Sequence, residues 1–200
     1  ERIIDSEYVY DIENNLTRKT DIIKGTELTN IYEYGKDNLL LKTTLPTGAS
    51  VENTFDGLNR MTERKVNISS SVNKSTTYTY SAPKTAVNGS NTTTQLKTET
   101  IDGVKYEYNY DDAGNITEIY ENDELKYAYE YDELNQLTLD YDAEQGTETY
   151  YTYDNGGNIH NKAVVDATMF EVIDEVDYEY NDSEWKDLLT SYDGEAITYD

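Results

Sequence analysis

Two hundred residues of 22.9 kDa carry 41 Asp and Glu against 16 Lys and Arg, a net charge of −25, with a mean hydropathy of −0.84. That balance argues against nucleic acid and anionic membrane surfaces as partners, because binding either would bring like charges together. The absence of cysteine excludes disulfides, thiolate nucleophiles and cysteine-ligated metals, and no apolar run approaches the ~18 residues of a spanning helix.

A chain this long is expected to bury a core, with roughly 70% of its unfolded surface hidden if it is compact. High charge and low hydropathy favour disorder, but 21 tyrosines oppose it, since each ring buries a large area while its hydroxyl keeps a polar partner. The tyrosines come in i, i+2 pairs: Tyr8/Tyr10, Tyr32/Tyr34, Tyr78/Tyr80, Tyr106/Tyr108/Tyr110, Tyr127/Tyr129/Tyr131, Tyr151/Tyr153 and Tyr178/Tyr180. Thr54-Phe55 and Ile197/Tyr199 are weaker copies. That period puts both rings on one face of a strand and cannot line a helix.

Taking the last aromatic of each copy as an anchor gives Tyr10, Tyr34, Phe55, Tyr80, Tyr110, Tyr131, Tyr153, Tyr180 and Tyr199, spaced 19 to 30 residues apart. A sustained period of this length is an internal repeat. Four residues past six of the anchors stand Asn14, Asn38, Asn59, Gly114, Asn135 and Gly157, the residue types that most readily accept positive φ. Two residues further on comes an apolar residue: Leu16, Leu40, Met61, Ile116, Leu137 or Ile159. A left-handed turn followed by a returning apolar strand is hairpin grammar. Second turns are signalled at Lys24-Gly25, Thr47-Gly48, Asp102-Gly103, Asn122-Asp123, Gln145-Gly146 and Asp193-Gly194. The expected fold is all-β: tandem hairpins forming one long, twisted, curved antiparallel sheet, a single array of about nine copies over residues 1–200.

Two copies depart from the pattern. After Tyr80 a Ser/Thr/Asn-rich stretch spanning 81–95 predicts a long exposed loop, and after Tyr180 the segment Asn181–Asp187 predicts a lengthened turn. Asp200 stands where the other copies begin a turn, so the array is expected to be cut within a repeat. The opening Glu1-Arg2-Ile3-Ile4-Asp5 has no signal-peptide pattern, so any export signal is expected outside this segment.

Tyr106-Glu107-Tyr108-Asn109-Tyr110-Asp111-Asp112-Ala113-Gly114-Asn115-Ile116 closely resembles the tyrosine-aspartate (YD) repeat of the Rhs family, as does Tyr151-Thr152-Tyr153-Asp154-Asn155-Gly156-Gly157-Asn158-Ile159. Segments 55–61 and 131–137 resemble it with Asn in place of Gly. The family includes bacterial Rhs proteins, wall-associated proteins, insecticidal toxin complexes and teneurins. The resemblance implies a sheet wound into a hollow shell that, in the toxins, encloses a C-terminal effector. The partners it implies are further repeats and an effector of the same polypeptide, in an extracellular or cell-wall setting. The Asp-Pro-x-Gly-Leu signature associated with self-cleavage is absent from this sequence, where neither Pro46 nor Pro83 follows an Asp.

Chemistry is read sparingly. Asp11, Asp56, Asp111, Asp132 and Asp154 each follow an anchor, and a residue recurring once per repeat fits a turn cap better than a catalytic acid. The oxygen-rich loops lack EF-hand and β-roll spacing, and His160 has no nucleophile elbow beside it. No catalytic, cofactor or metal residue is assigned, and the protein is expected not to be an enzyme. The alternative function is a cell-surface adhesion or glycan-binding module using exposed tyrosines, since aromatic ladders also stack on sugars and cations. Self-association through unpaired edge strands is expected of a section of sheet.

Overall fold

The computed structural model describes residues 4–81 and 93–199, and by its internal contacts the chain divides into two compact units, Glu1–Lys105 and Tyr106–Asp200. The described residues are all-β, with seventeen strands and one short 3-10 turn at Lys36–Asn38. The first unit runs β1 (Ile4–Tyr10), β2 (Leu16–Ile23), β3 (Thr26–Tyr34), β4 (Leu40–Thr44), β5 (Ser50–Phe55), β6 (Met61–Ser69), β7 (Val72–Tyr80) and β8 (Leu96–Ile101), each antiparallel to the next. In the second, most of β9 (Val104–Tyr110) leads into β10 (Ile116–Glu121), β11 (Glu124–Tyr131), β12 (Leu137–Asp142), β13 (Thr147–Tyr153), β14 (Ile159–Asp166) and β15 (Val172–Glu179). The short pair β16 (Ser191–Tyr192) and β17 (Glu195–Ala196) completes it, again as an antiparallel meander.

The i, i+2 tyrosines share one face of their strands, where Tyr32 lies opposite Thr43 and Tyr129 opposite Asp140. In the first unit the other face carries a polar ladder. Glu33, Lys42, Glu52 and Lys65 stand opposite one another across four strands, and Lys42 Nζ lies 2.9 Å from Glu52 Oε1. The hydroxyls of Thr20 and Thr29 meet at 3.0 Å and those of Thr79 and Thr98 at 2.7 Å. Cross-strand threonine pairs of this kind contribute about 0.2–1 kcal/mol each.

The expectation of a buried core is corrected. Among the described residues Val176 is the only buried apolar side chain, and the buried polar ones are Thr20, Ser50 and Ser191. Within each unit the described strands hydrogen-bond sideways to their neighbours in sequence, and most rings are half-buried there. The anchors Tyr10 and Tyr199 are 53% and 57% exposed.

Connections between strands are tight. Lys24-Gly25, Asp102-Gly103, Asn122-Asp123 and Asp193-Gly194 have positive φ at both positions, the primed turn that matches strand twist. The loop expected after Tyr80 falls largely on residues 82–92, outside the described residues. Its base is closed by Ser81 N–H donating to Gln95 O at 2.9 Å and by the Thr93 hydroxyl donating to Ser81 O at 2.7 Å.

Candidate structural site: the aspartate turn and its ties to the next copy

Five of the repeats turn on the same local chemistry. In the Asp111 turn, Asp111 N–H donates to Asn115 O (3.0 Å) and Gly114 N–H to Asp111 O (3.3 Å). The carboxylate of Asp111 accepts Asn115 N–H at 2.8 Å on Oδ1 and the Asn115 amide at 2.9 Å on Oδ2. Asp11, Asp56, Asp132 and Asp154 repeat the arrangement, each accepting the backbone N–H four residues on at 2.8–3.1 Å. The carboxyls of Asp56, Asp111 and Asp154 are held below the usual carboxylate range chiefly by the side chains of Arg60, Asn115 and Asn158, and that of Asp11 chiefly by Asn15 N–H. These oxygens are occupied in shaping turns. Asn14, Asn38, Asn59, Gly114, Asn135 and Gly157 carry φ of 67°, 58°, 62°, 95°, 61° and 88°.

A β-bulge follows every regular turn. Tyr10 pairs with Leu16 while Val9 pairs with Arg18, so Thr17 is the extra residue. The same skip leaves Leu41, Thr62, Lys97, Thr117, Thr138 and His160 as extra residues in the later copies. Bulges add local twist and bend the strand that carries them. His160 is thus the exposed bulge residue of its copy, beside a groove lined by Asp154, Tyr178 and Tyr180.

The bulge sets the anchor tyrosine against the preceding copy. Tyr80, Tyr131 and Tyr153 hydroxyls donate to the carbonyls of Met61, Ile116 and Leu137 at 2.7, 2.9 and 2.7 Å, and Tyr199 to Leu189 O at 2.8 Å. The first three acceptors are the apolar residues that follow the previous turn. Burial pushes the Tyr80, Tyr131 and Tyr153 hydroxyl pKa values up.

A second tie joins the turns themselves. The residue after the left-handed position reaches the next turn: Asn15 donates to Asn38 Oδ1 (2.9 Å), Asn115 to Asn135 Oδ1 (2.9 Å) and Gln136 to Gly157 O (3.5 Å). Arg60 keeps the pattern where the next copy is enlarged, donating to Thr93 O at 2.5 Å while lying 4.4 Å from the centre of the Tyr80 ring and pairing with Asp56. Nothing in the sequence pattern marks these amide bonds.

Copy two departs. Gly35 stands where the other regular turns have Asp, and the Leu41 side chain fills the space: a Cβ on Gly35 would meet Leu41 Cδ1 at 2.9 Å. The turn tightens into the 3-10 segment, with Asp37 as well as Asn38 left-handed.

With this geometry in hand, residues 110–147 match the RHS Repeat family. The chain carries an RHS repeat. The matched stretch holds the Asp111 and Asp132 turns, the Tyr131 hydroxyl bond and the Asn115–Asn135 tie, and the same bonds recur in copies beyond it. Among solved structures, the crystal structures of TcdB2-TccC3-Cdc42 and of TcdB2-TccC3 share the fold, each at 13% identity and a TM-score of 0.50 over 86% of this chain. The chain spans 12% of the length of either. No curated protein matches it. Among the described residues no helix is long and apolar enough to cross a membrane, and no group of three or more His, Asp or Glu is placed to hold a metal ion.

Proposed function

We propose that this chain is a section of the wall of an Rhs-type shell, a structural array that encloses or displays an effector of the same polypeptide outside the cell or at its surface. The wall-building residues are the nine anchors and the six left-handed turn residues. The observation that carries this reading is how the turn aspartates and the residues after the left-handed positions are used: they bond within their own turn or to the turn beside it, as Asp111 and Asn115 do, the latter reaching Asn135. The RHS repeat match and the likeness of fold support it.

The mechanism is geometric. Each copy adds two strands and a bulge, and bulge-enhanced twist of constant hand accumulates along a repeat array. The hydroxyl and amide ties fix how one copy sits on the last, so curvature is set copy by copy. Limited proteolysis of the full gene product tests the role: a segment downstream of the repeats is expected to resist cleavage until the wall unfolds. Cleavage of that segment at the rate seen for the segment alone refutes enclosure.

A further inference from the structure

Two loops in the second unit have the same conformation and opposite surfaces. In the first, Asp142-Ala143-Glu144-Gln145-Gly146, Gly146 N–H donates to Asp142 O at 2.8 Å and Asp142 Oδ1 accepts the N–H groups of Glu144 and Gln145 at 2.9 and 3.0 Å. In the second, Asp166-Ala167-Thr168-Met169-Phe170, Phe170 N–H donates to Asp166 O at 2.8 Å and Asp166 Oδ1 accepts from Thr168 and Met169, both at 2.8 Å. Ala167 N–H donates to Gly146 O at 2.9 Å, tying the two loops together.

The left-handed position is Gly146, φ 66°, in one loop and Phe170, φ 57°, in the other. A bulky residue there is strained where glycine is not. Phe170 gains nothing from the fold in return: it is 77% exposed, Met169 is 71% exposed, and Val172 and Ile173 beside them are each 59% exposed. The first loop shows that a glycine and polar residues build the same turn. The second holds two large apolar side chains out to water on a backbone pinned by Asp166, a preorganised arrangement of the kind that anchors interfaces.

We propose that the Met169–Phe170 tip is a docking anchor for a partner protein with an apolar pocket and a Lys/Arg-rich rim. Charge selects that occupant. The exposed charged residues flanking the tip, Glu171, Asp174 and Glu175, are acidic, and a second copy of a chain with net charge −25 would be repelled.

The test compares the chain with Met169→Gln/Phe170→Gly, which gives the second loop the chemistry of the first and leaves every charge in place. The probes are a helical Lys/Leu peptide and its Glu/Leu counterpart, titrated by fluorescence anisotropy at low and high salt. The natural chain is expected to bind the Lys/Leu peptide about tenfold more tightly than the variant does, more weakly at high salt, and not to bind the Glu/Leu peptide. Phe170→Gly alone is expected to raise the folding equilibrium constant about fivefold by relieving the strain. Equal affinities would overturn the proposal, as would a less stable Phe170→Gly protein, which would show that the ring serves the fold. A dimer lost in the variant by sedimentation, or tip-dependent binding to phosphatidylcholine vesicles, would give the tip to a second copy or a lipid and refute the basic partner.

Discussion

Replacing Tyr131 by Phe isolates one tie between copies. The ring stays, so the burial supplied by its neighbours is unchanged, and only the 2.9 Å bond from the hydroxyl to Ile116 O is lost. A hydrogen bond of this kind contributes about 1 kcal/mol net, which is about fivefold in the folding constant of the second unit. Tyr153→Phe removes the equivalent bond to Leu137 O in the next copy. Tyr131 stands opposite Leu137, whose carbonyl takes the Tyr153 bond, so the two sites are neighbours and the double variant is expected to lose between about 1 and about 2 kcal/mol, at most about thirtyfold. Trp185 is the only tryptophan and lies in the second unit, so its fluorescence in urea reads this unit directly. The exposed Tyr10, changed to Phe and followed by circular dichroism, is the control and is expected to shift nothing. If Tyr131→Phe and Tyr153→Phe leave the midpoint where it was, the hydroxyl bonds do not hold one copy to the next and the reasoning fails.

Asn115→Ala and Asn135→Gly each remove one end of the 2.9 Å amide tie, and a double-mutant cycle is expected to give a coupling of about 0.5–1 kcal/mol; additivity would show the tie to be idle. Gly35→Asp is expected to cost about 1 kcal/mol through the clash with Leu41, and Leu41→Thr in the same chain to recover at least half of it; an unchanged loss would show that the tight turn itself, and not Leu41, demands the glycine. Alkali is expected to unfold the second unit. Burial, helped by the Asp140 charge, pushes the Tyr129 hydroxyl up to about 12, and Tyr110, Tyr131, Tyr151 and Tyr153 are shifted the same way. With folded pKa values above the unfolded value of about 10, their contribution is intact below pH 10 and is lost as pH rises from about 10 to about 12. Stability measured by urea at stepped pH that stays flat across that range would contradict the shifts.

The strands were legible because a period of two has one structural meaning, and the fold class followed from it. Turn positions such as Asn59 and Gly157 were legible for a local reason too, since few residue types tolerate positive φ. What stayed hidden depends on register. The bulge at Thr17 or Thr117 leaves no residue signature, because threonine suits a regular strand equally well. The tyrosine hydroxyls find backbone carbonyls, which every residue has. Asn115 and Asn135 meet only once the hairpins lie side by side, and Phe170 gives no hint of a left-handed backbone because it is a residue that resists one. The sparse burial has another origin: length bounds how much a chain can bury only if layers pack on one another, and within each unit the described strands add sideways, each pairing with its neighbours in sequence.

The reach of the ties has a bearing on how such proteins change. The bonds between turns span from one copy to the one beside it, such as Asn15 to Asn38 or Asn115 to Asn135. A gene that duplicates or drops one whole unit would therefore leave the interior bonds of the rest intact, and growth or shrinkage by single units is open to selection without redesign.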